Sequence, residues 1–132
     1  MLTGGCLCGQ VRYETEGTPF HSTVCHCTDC RRVTAAPFVA WFSVPSAKLR
    51  FVAGAPKLFA SSRGVLRGAC ATCGTPLTYQ HIDLQDEVDI TTCSLDDPEL
   101  VPPRDHVRTR SKLSWVHTND GLPSFAGRRS EG

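Results

Sequence analysis

The chain has 132 residues, a formal net charge of +1 at neutral pH and eight cysteines. This length favours one domain, residues 1–132, with room for a hydrophobic core that needs no disulfides. The balanced charge argues against a nucleic-acid partner, and no apolar run reaches the roughly 18 residues of a membrane helix. The first residues lack the pattern of a signal peptide. We therefore expect a cytoplasmic protein whose cysteines bind metal rather than form disulfides.

Most of the chain alternates apolar and polar residues, as half-buried β-strands do. The predicted strands cover residues 10–14, 20–24, 38–44, 48–52, 57–62, 65–68, 76–79 and 87–93. Helix is expected at two places only. One is a short turn that Thr28 or Asp29 caps and that runs to Arg32, and the other begins within residues 96–99. The sequence thus predicts a mainly β fold with little helix and a frayed tail over residues 127–132.

Two cysteine pairs far apart in the chain have the spacing of zinc ligands. One residue separates Cys6 from Cys8, two separate Cys70 from Cys73, and a glycine directly follows each pair. Zinc binds four thiolates in a tetrahedron, and glycine lets the chain fold back so that backbone amides approach the sulfurs. One closed site would clip the start of the chain to its middle. We expect a structural zinc site, since free buried cysteines would explain one pair but hardly both.

A third group, Cys25, Cys27 and Cys30, places three thiols within six residues. An extended step followed by a turn would bring all three sulfurs to one ion. Three protein ligands and one open position are typical of catalytic zinc. A thiol held at such a position loses its proton near neutral pH and stays nucleophilic. Beside it, Arg31 and Arg32 are candidates for binding a substrate carboxylate.

Other interpretations of this triplet remain open at the level of sequence. His26 would be a fourth ligand, although adjacent residues of an extended chain point to opposite sides. Cys93, which has no cysteine near it in sequence, would instead close the site and make it structural. A redox switch without metal is a third alternative. In a reaction at this site the protons would move through His26, His81 or solvent.

These residues together resemble the glutathione-dependent formaldehyde-activating family, which includes centromere protein V. The resemblance covers residues 5–9, 25–32, Phe38, Trp41, residues 70–74, residues 94–98, Trp115 and residues 122–125. It implies a β-tent, in which antiparallel sheets are bridged by a structural zinc site. The implied structural ligands are Cys6, Cys8, Cys70 and Cys73, and the implied ligands of the catalytic zinc are Cys25, Cys27 and Cys30.

The resemblance also implies an activity, the condensation of glutathione with formaldehyde to S-hydroxymethylglutathione, which is carbon–sulfur lyase chemistry. The partners would then be a small thiol and formaldehyde or a similar small electrophile. The chain departs from the family pattern at Cys93, where relatives usually carry a small residue. The alternative functions are a non-enzymatic zinc-stabilised β-tent that binds a protein partner and a thiol redox sensor.

Overall fold

The computed structural model describes residues 1–129, which form ten β-strands and one α-helix. The strands are β1 (Leu2–Gly5), β2 (Arg12–Thr15), β3 (Phe20–Cys25), β4 (Val39–Pro45), β5 (Leu49–Ala53), β6 (Lys57–Ser62), β7 (Val65–Ala69), β8 (Pro76–His81), β9 (Glu87–Thr91) and β10 (His106–Val107). Helix α1 spans Thr28–Thr34. The prediction of a mainly β fold with little helix is confirmed.

The strands form two sheets. The smaller has the order β1-β2-β5, and the larger has the order β10-β3-β4-β9-β8-β7-β6. Pairing is antiparallel throughout the described strands except at one edge, where β10 runs parallel to β3. There His106 lies beside Val24 and Val107 beside Cys25. This added strand places residues from late in the chain next to the cysteine triplet.

Strand β4 separates two apolar clusters because its side chains alternate between the faces of the sheet. Phe42 and Val44, both fully buried, belong to the cluster that also contains Tyr13 of the smaller sheet. Val39 and Trp41 belong to a second cluster with two of the triplet cysteines. One face of β4 therefore packs toward the smaller sheet, and the other supports the triplet.

Residues 94–98, which follow β9, form hydrogen bonds with strands β1 and β2 of the smaller sheet. Asp96 accepts two hydrogen bonds from the Arg12 guanidinium, at 2.8 and 2.5 Å, and these bonds lower the pKa of Asp96 to about 2. Ser94 Oγ lies 2.7 Å from the Tyr13 hydroxyl. Gly4 pairs with Leu95 here, and a Cβ at Gly4 would lie 2.4 Å from the Tyr13 oxygen. The glycine therefore permits this close approach.

The helical predictions are correct in place but wrong in detail. The N-cap of α1 is Cys27, rather than Thr28 or Asp29, and its Sγ accepts a hydrogen bond from the Cys30 amide at 3.2 Å. The helix continues beyond Arg32 to Thr34. The helix expected at residues 96–99 is a single 3-10 turn, Pro98–Leu100, which the Asp97 carboxylate caps. No helix within residues 1–129 is long and apolar enough to cross a membrane.

Residues at both ends of the described range, 1–129, take part in the hydrogen bonding of the fold. Strand β1 was not predicted, because two of its four residues are glycines, which disfavour strands. At the other end, Gly127 accepts a backbone hydrogen bond from Arg108 at 2.9 Å, and the Arg129 guanidinium pairs with Asp105. The remainder of the tail predicted to fray, residues 130–132, lies outside the described residues.

Candidate metal centres and the adjoining cavity

The sulfurs of Cys6, Cys8, Cys70 and Cys73 lie within 4.8 Å of one another. Cys8 Sγ is 3.6 Å from Cys6 Sγ and 3.8 Å from Cys70 Sγ. Four thiolates bound tetrahedrally at about 2.3 Å from zinc are about 3.8 Å apart, so this donor set fits the ion. The group connects the end of β1 to the turn between β7 and β8. It therefore bridges the two sheets, as the β-tent requires.

The two halves of this group have similar backbones. The amides of Cys6 and Cys70 each donate to the carbonyl five residues later, both at 3.0 Å. The cysteine sulfurs in turn accept amide hydrogen bonds, Cys6 from Val11 at 3.3 Å and Cys70 from Cys73 at 3.4 Å. Both following glycines adopt positive φ, 83° for Gly9 and 80° for Gly74. Amide donors aimed at a cysteine sulfur suit a site in which cysteine binds metal as the thiolate.

The second group brings Cys25, Cys27 and Cys30 together, again with all sulfurs within 4.8 Å of one another. Cys25 ends β3, Cys27 caps α1, and Cys30 lies in the first turn of that helix. Hydrogen bonds from the Cys25 thiol and then the Cys30 thiol lower the pKa of Cys27 to about 2. Three converging cysteine sulfurs are a suitable donor set for zinc, which binds cysteine as thiolate.

His26 lies between two triplet cysteines in sequence, but its side chain belongs to a separate hydrogen-bond network. It is fully buried, and its Nε2 lies 3.0 Å from His106 Nδ1. His106 Nε2 in turn lies 2.7 Å from Asp120 Oδ2. His26 is not part of either cysteine group, in agreement with the opposite orientation of neighbours in a strand. Burial, with a smaller effect of His106, lowers the pKa of His26.

The structure does not bring the other candidates to the triplet. Cys93 is an exposed free thiol in the 3-10 turn Thr92–Ser94 and belongs to neither group. The Arg31 guanidinium donates to the backbone carbonyls of Ser111 and His26, so it braces the loop instead of facing a ligand. Arg32 is exposed, and neither arginine lines the cavity beside the triplet.

A cavity of about 420 Å³ opens beside the three sulfurs of this triplet. Its volume is that of a typical small-molecule site, and is large enough for a peptide-sized thiol. Besides the cysteines, the lining contains two large aromatic side chains, three carboxyl groups and four arginines. These are Trp41, Tyr79, Asp29, Glu87, Asp89, Arg67, Arg108, Arg128 and Arg129. The cysteines of this lining were predicted from the sequence, and its other polar residues were not.

Asp89 is one of the missed residues. It lies in β9 opposite Ser43 of β4 and Tyr79 of β8, and the Ser43 hydroxyl donates to its Oδ1 at 2.5 Å. Burial raises the pKa of Asp89 to about 6, despite this hydrogen bond. A carboxyl group that titrates near neutral pH is suited to accept and return a proton. His81, by contrast, caps a 3-10 turn outside this cavity.

Arg67 of β7 is the second missed residue. It is only 6% exposed, and its Nε donates to Ser61 Oγ at 3.1 Å. The guanidinium carbon lies 4.9 Å from the centre of the Tyr79 ring and 6.0 Å from that of Trp41. Its buried Nη1 has no hydrogen-bond partner among residues 1–129. Arg67 is thus a fixed, desolvated cation in the wall of the cavity.

Comparisons with known proteins agree with this geometry. A solved structure of a protein from Rhodobacter sphaeroides is similar in fold, with a TM-score of 0.57 and 23% identity over 93% of this chain and 98% of that one. No curated protein matches the sequence. The family model described as glutathione-dependent formaldehyde-activating enzyme matches residues 1–111. This match covers most of the chain and both cysteine groups, so the chain belongs to the glutathione-dependent formaldehyde-activating enzyme family.

Proposed function

We propose that this protein is a zinc-dependent carbon–sulfur lyase that condenses glutathione, or a related thiol, with formaldehyde or a similar small electrophile. The observation that carries this proposal is the convergence of Cys25, Cys27 and Cys30 at the wall of an open cavity. We give no catalytic role to Cys6, Cys8, Cys70 and Cys73, the four-thiolate group. This group joins the two sheets, and its four sulfurs would complete the tetrahedron of a zinc ion and leave no open position.

The triplet is the part of the chain that would hold the catalytic zinc. When bound there, zinc would supply an open position at which a thiol ionises near neutral pH. The chain itself contributes the thiolate donors and an apolar support from Val39 and Trp41 behind them. The 420 Å³ cavity holds the two reactants close together, which lowers the entropic cost of their meeting.

We assign the proton transfer to Asp89, in place of the histidines considered from sequence. Addition of a thiol to formaldehyde forms one carbon–sulfur bond, converts the carbonyl double bond to a single bond and moves the thiol proton to oxygen. Ionised Asp89 accepts that proton, and protonated Asp89 returns it to the oxygen. Charged groups that also act on this carboxyl are Glu87, His21 and Arg129.

The alternative functions predict different behaviour of the same protein. A module that only binds a protein partner needs no reactive thiol position, and a redox sensor would release zinc reversibly on oxidation. Both the proposed lyase and a sensor require reduced thiols, which supports a location in the cytoplasm.

The proposal is tested with purified, zinc-loaded protein, glutathione and formaldehyde. We expect about two zinc ions per chain and a rate of S-hydroxymethylglutathione formation well above the uncatalysed rate. Exchange NMR, with native mass spectrometry for metal content, measures both quantities. A protein with both zinc ions that gives no acceleration would contradict the lyase and favour the binding module.

Substitution of Asp89→Asn is expected to remove an acid limb from the pH profile. In the wild type kcat/KM should rise through an apparent pKa near 6, because the ionised carboxylate is the base. The variant should lose this limb of the profile. Its kcat/KM should fall about 100-fold, which is the lower end of the usual contribution of general acid–base catalysis. Asp86→Asn, an exposed substitution just before β9, is the matched control. An unchanged acid limb in the Asp89 variant would exclude the assignment.

The same variant should also be more stable than the wild type at high pH. Since the folded-state pKa of Asp89, about 6, exceeds the ordinary carboxyl value of 3.8, its contribution to stability is full below about pH 4 and is lost as pH rises through about 6. Asparagine avoids burying the charge and keeps an acceptor for Ser43. We expect a gain of about 1 to 3 kcal/mol at pH 8 and almost none at pH 4, measured by urea unfolding.

A further inference from the structure

Arg67 has the features of a binding residue whose partner is missing from the chain itself. Its side chain is held on three sides, by Ser61 at Nε and by the rings of Tyr79 and Trp41. No carboxylate of residues 1–129 forms an ion pair with it, and Nη1 is buried without a hydrogen bond. A buried cation is normally paired, because an unmatched charge is costly to desolvate.

The cavity is the place from which a partner for Arg67 can come. Arg67 lines it together with the three sulfurs, and Arg108, Arg128 and Arg129 lie around the same space. The carboxyl groups of Asp29, Glu87 and Asp89 line this space as well, and Arg129 is paired with Asp105, so Arg67 is the cation of the lining that a bound anion would match. The sulfurs do not satisfy Nη1, since none lies within hydrogen-bonding reach of it.

We propose that Arg67 binds a carboxylate of the small carbonyl substrate, so that the preferred electrophile is an aldehyde or ketone with a carboxylate next to its carbonyl group. Guanidinium and carboxylate match in shape and charge and form two parallel hydrogen bonds, which formaldehyde cannot offer. This inference rests on the proposed thiol condensation, and it names the substrate class of that reaction.

The position of Arg67 explains why the carboxylate belongs to the electrophile and not to the far end of the thiol. Arg67 lines the same cavity as the three sulfurs, and its guanidinium carbon lies 6.0 Å from the centre of the Trp41 ring, which packs in one cluster with Cys25 and Cys30. We therefore expect an anion bound by this guanidinium to lie in the same cavity as the carbon that is attacked. The thiol sulfur bonds to that carbon, the carbonyl oxygen takes the thiol proton through Asp89, and the carboxylate is unchanged.

The binding test uses oxamate, an unreactive molecule with a carboxylate next to a carbonyl group. Calorimetry with the zinc-loaded protein should show saturable binding, weakened about 100-fold or more by Arg67→Gln, because a desolvated charge pair is lost. Arg67→Lys keeps the positive charge but not the planar guanidinium, so its affinity for oxamate should be roughly tenfold lower than that of the wild type. Arg63→Gln, an exposed substitution in the turn of the same hairpin, should bind as the wild type does. Zinc content and thermal unfolding verify that each variant is folded.

The kinetic test compares glyoxylate with its neutral methyl ester, using glutathione as the thiol. The ratio of their kcat/KM values should favour glyoxylate in the wild type and fall about 100-fold in Arg67→Gln. If the protein turns over formaldehyde but neither binds oxamate nor prefers glyoxylate to its ester, the inference about Arg67 is wrong and the proposed lyase activity stands. Binding of oxamate through Arg67 without turnover of any electrophile would overturn the lyase alone. Oxamate binding that survives Arg67→Gln but needs zinc would show that the metal, not Arg67, holds the anion.

Discussion

Cys70→Ser should lose the structural zinc ion and lower the midpoint of thermal unfolding by roughly 15 °C or more, for a loss of about 4 kcal/mol. The side chain is 4% exposed and lies in the four-thiolate group that joins the two sheets. Serine is a poor zinc ligand and leaves the amides of Thr72 and Cys73 without their sulfur acceptor. Most of the binding energy of a structural zinc ion is folding energy. Circular dichroism during heating, with a zinc count on the same sample, measures the effect.

Cys93→Ser is the matched control for this prediction. The residue is exposed and belongs to neither cysteine group, so zinc content should stay the same and stability should change by about 0.5 kcal/mol or less. Wild-type protein treated with a strong chelator should resemble Cys70→Ser. If Cys70→Ser melts within a few degrees of the wild type, the four-thiolate group does not hold the sheets together.

The neighbouring cysteines of each motif could be predicted to converge because their approach depends on local geometry. One residue separates Cys6 from Cys8 and Cys25 from Cys27, and the glycine after Cys8 marks a tight return of the chain. The strands were also largely predictable, since their alternation reflects one buried face. The β1 strand was missed because its packing against Tyr13, not its own sequence, selects it.

The rest of the cavity could not be predicted, because it depends on strand register. Asp89 and Arg67 occupy polar positions in alternating strands, and alternation does not distinguish a solvent face from a cavity face. They come together only because β8 places Tyr79 between them, beside Asp89 on one side and Arg67 on the other. Arg31 shows the converse. Adjacent to the triplet in sequence, it is drawn away by the carbonyl of Ser111, a contact across eighty residues.

Cys27→Ser should abolish the condensation while leaving the protein folded. Among the triplet cysteines, Cys27 offers the cleanest test because it caps α1 through a hydrogen bond from the Cys30 amide. Serine is among the best N-cap residues, so the helix keeps its start while the site loses a thiolate. We expect a fall from two zinc ions to one per chain. Activity should fall by at least about 100-fold, since even the outer partners of metal ligands contribute that much.

The comparison of Cys27→Ser with Cys70→Ser separates the two cysteine groups by function. Cys27→Ser should be inactive but unfold near the wild-type temperature, whereas Cys70→Ser should unfold at a much lower temperature and lose its activity when it unfolds. Zinc content alone would not distinguish them, because each variant loses one ion. Full turnover by Cys27→Ser would refute the triplet as the reactive site, and the carbon–sulfur bond would then have to form elsewhere. If Cys27→Ser lowers the midpoint of thermal unfolding as much as Cys70→Ser does, both cysteine groups are structural, and the binding module is favoured over the enzyme.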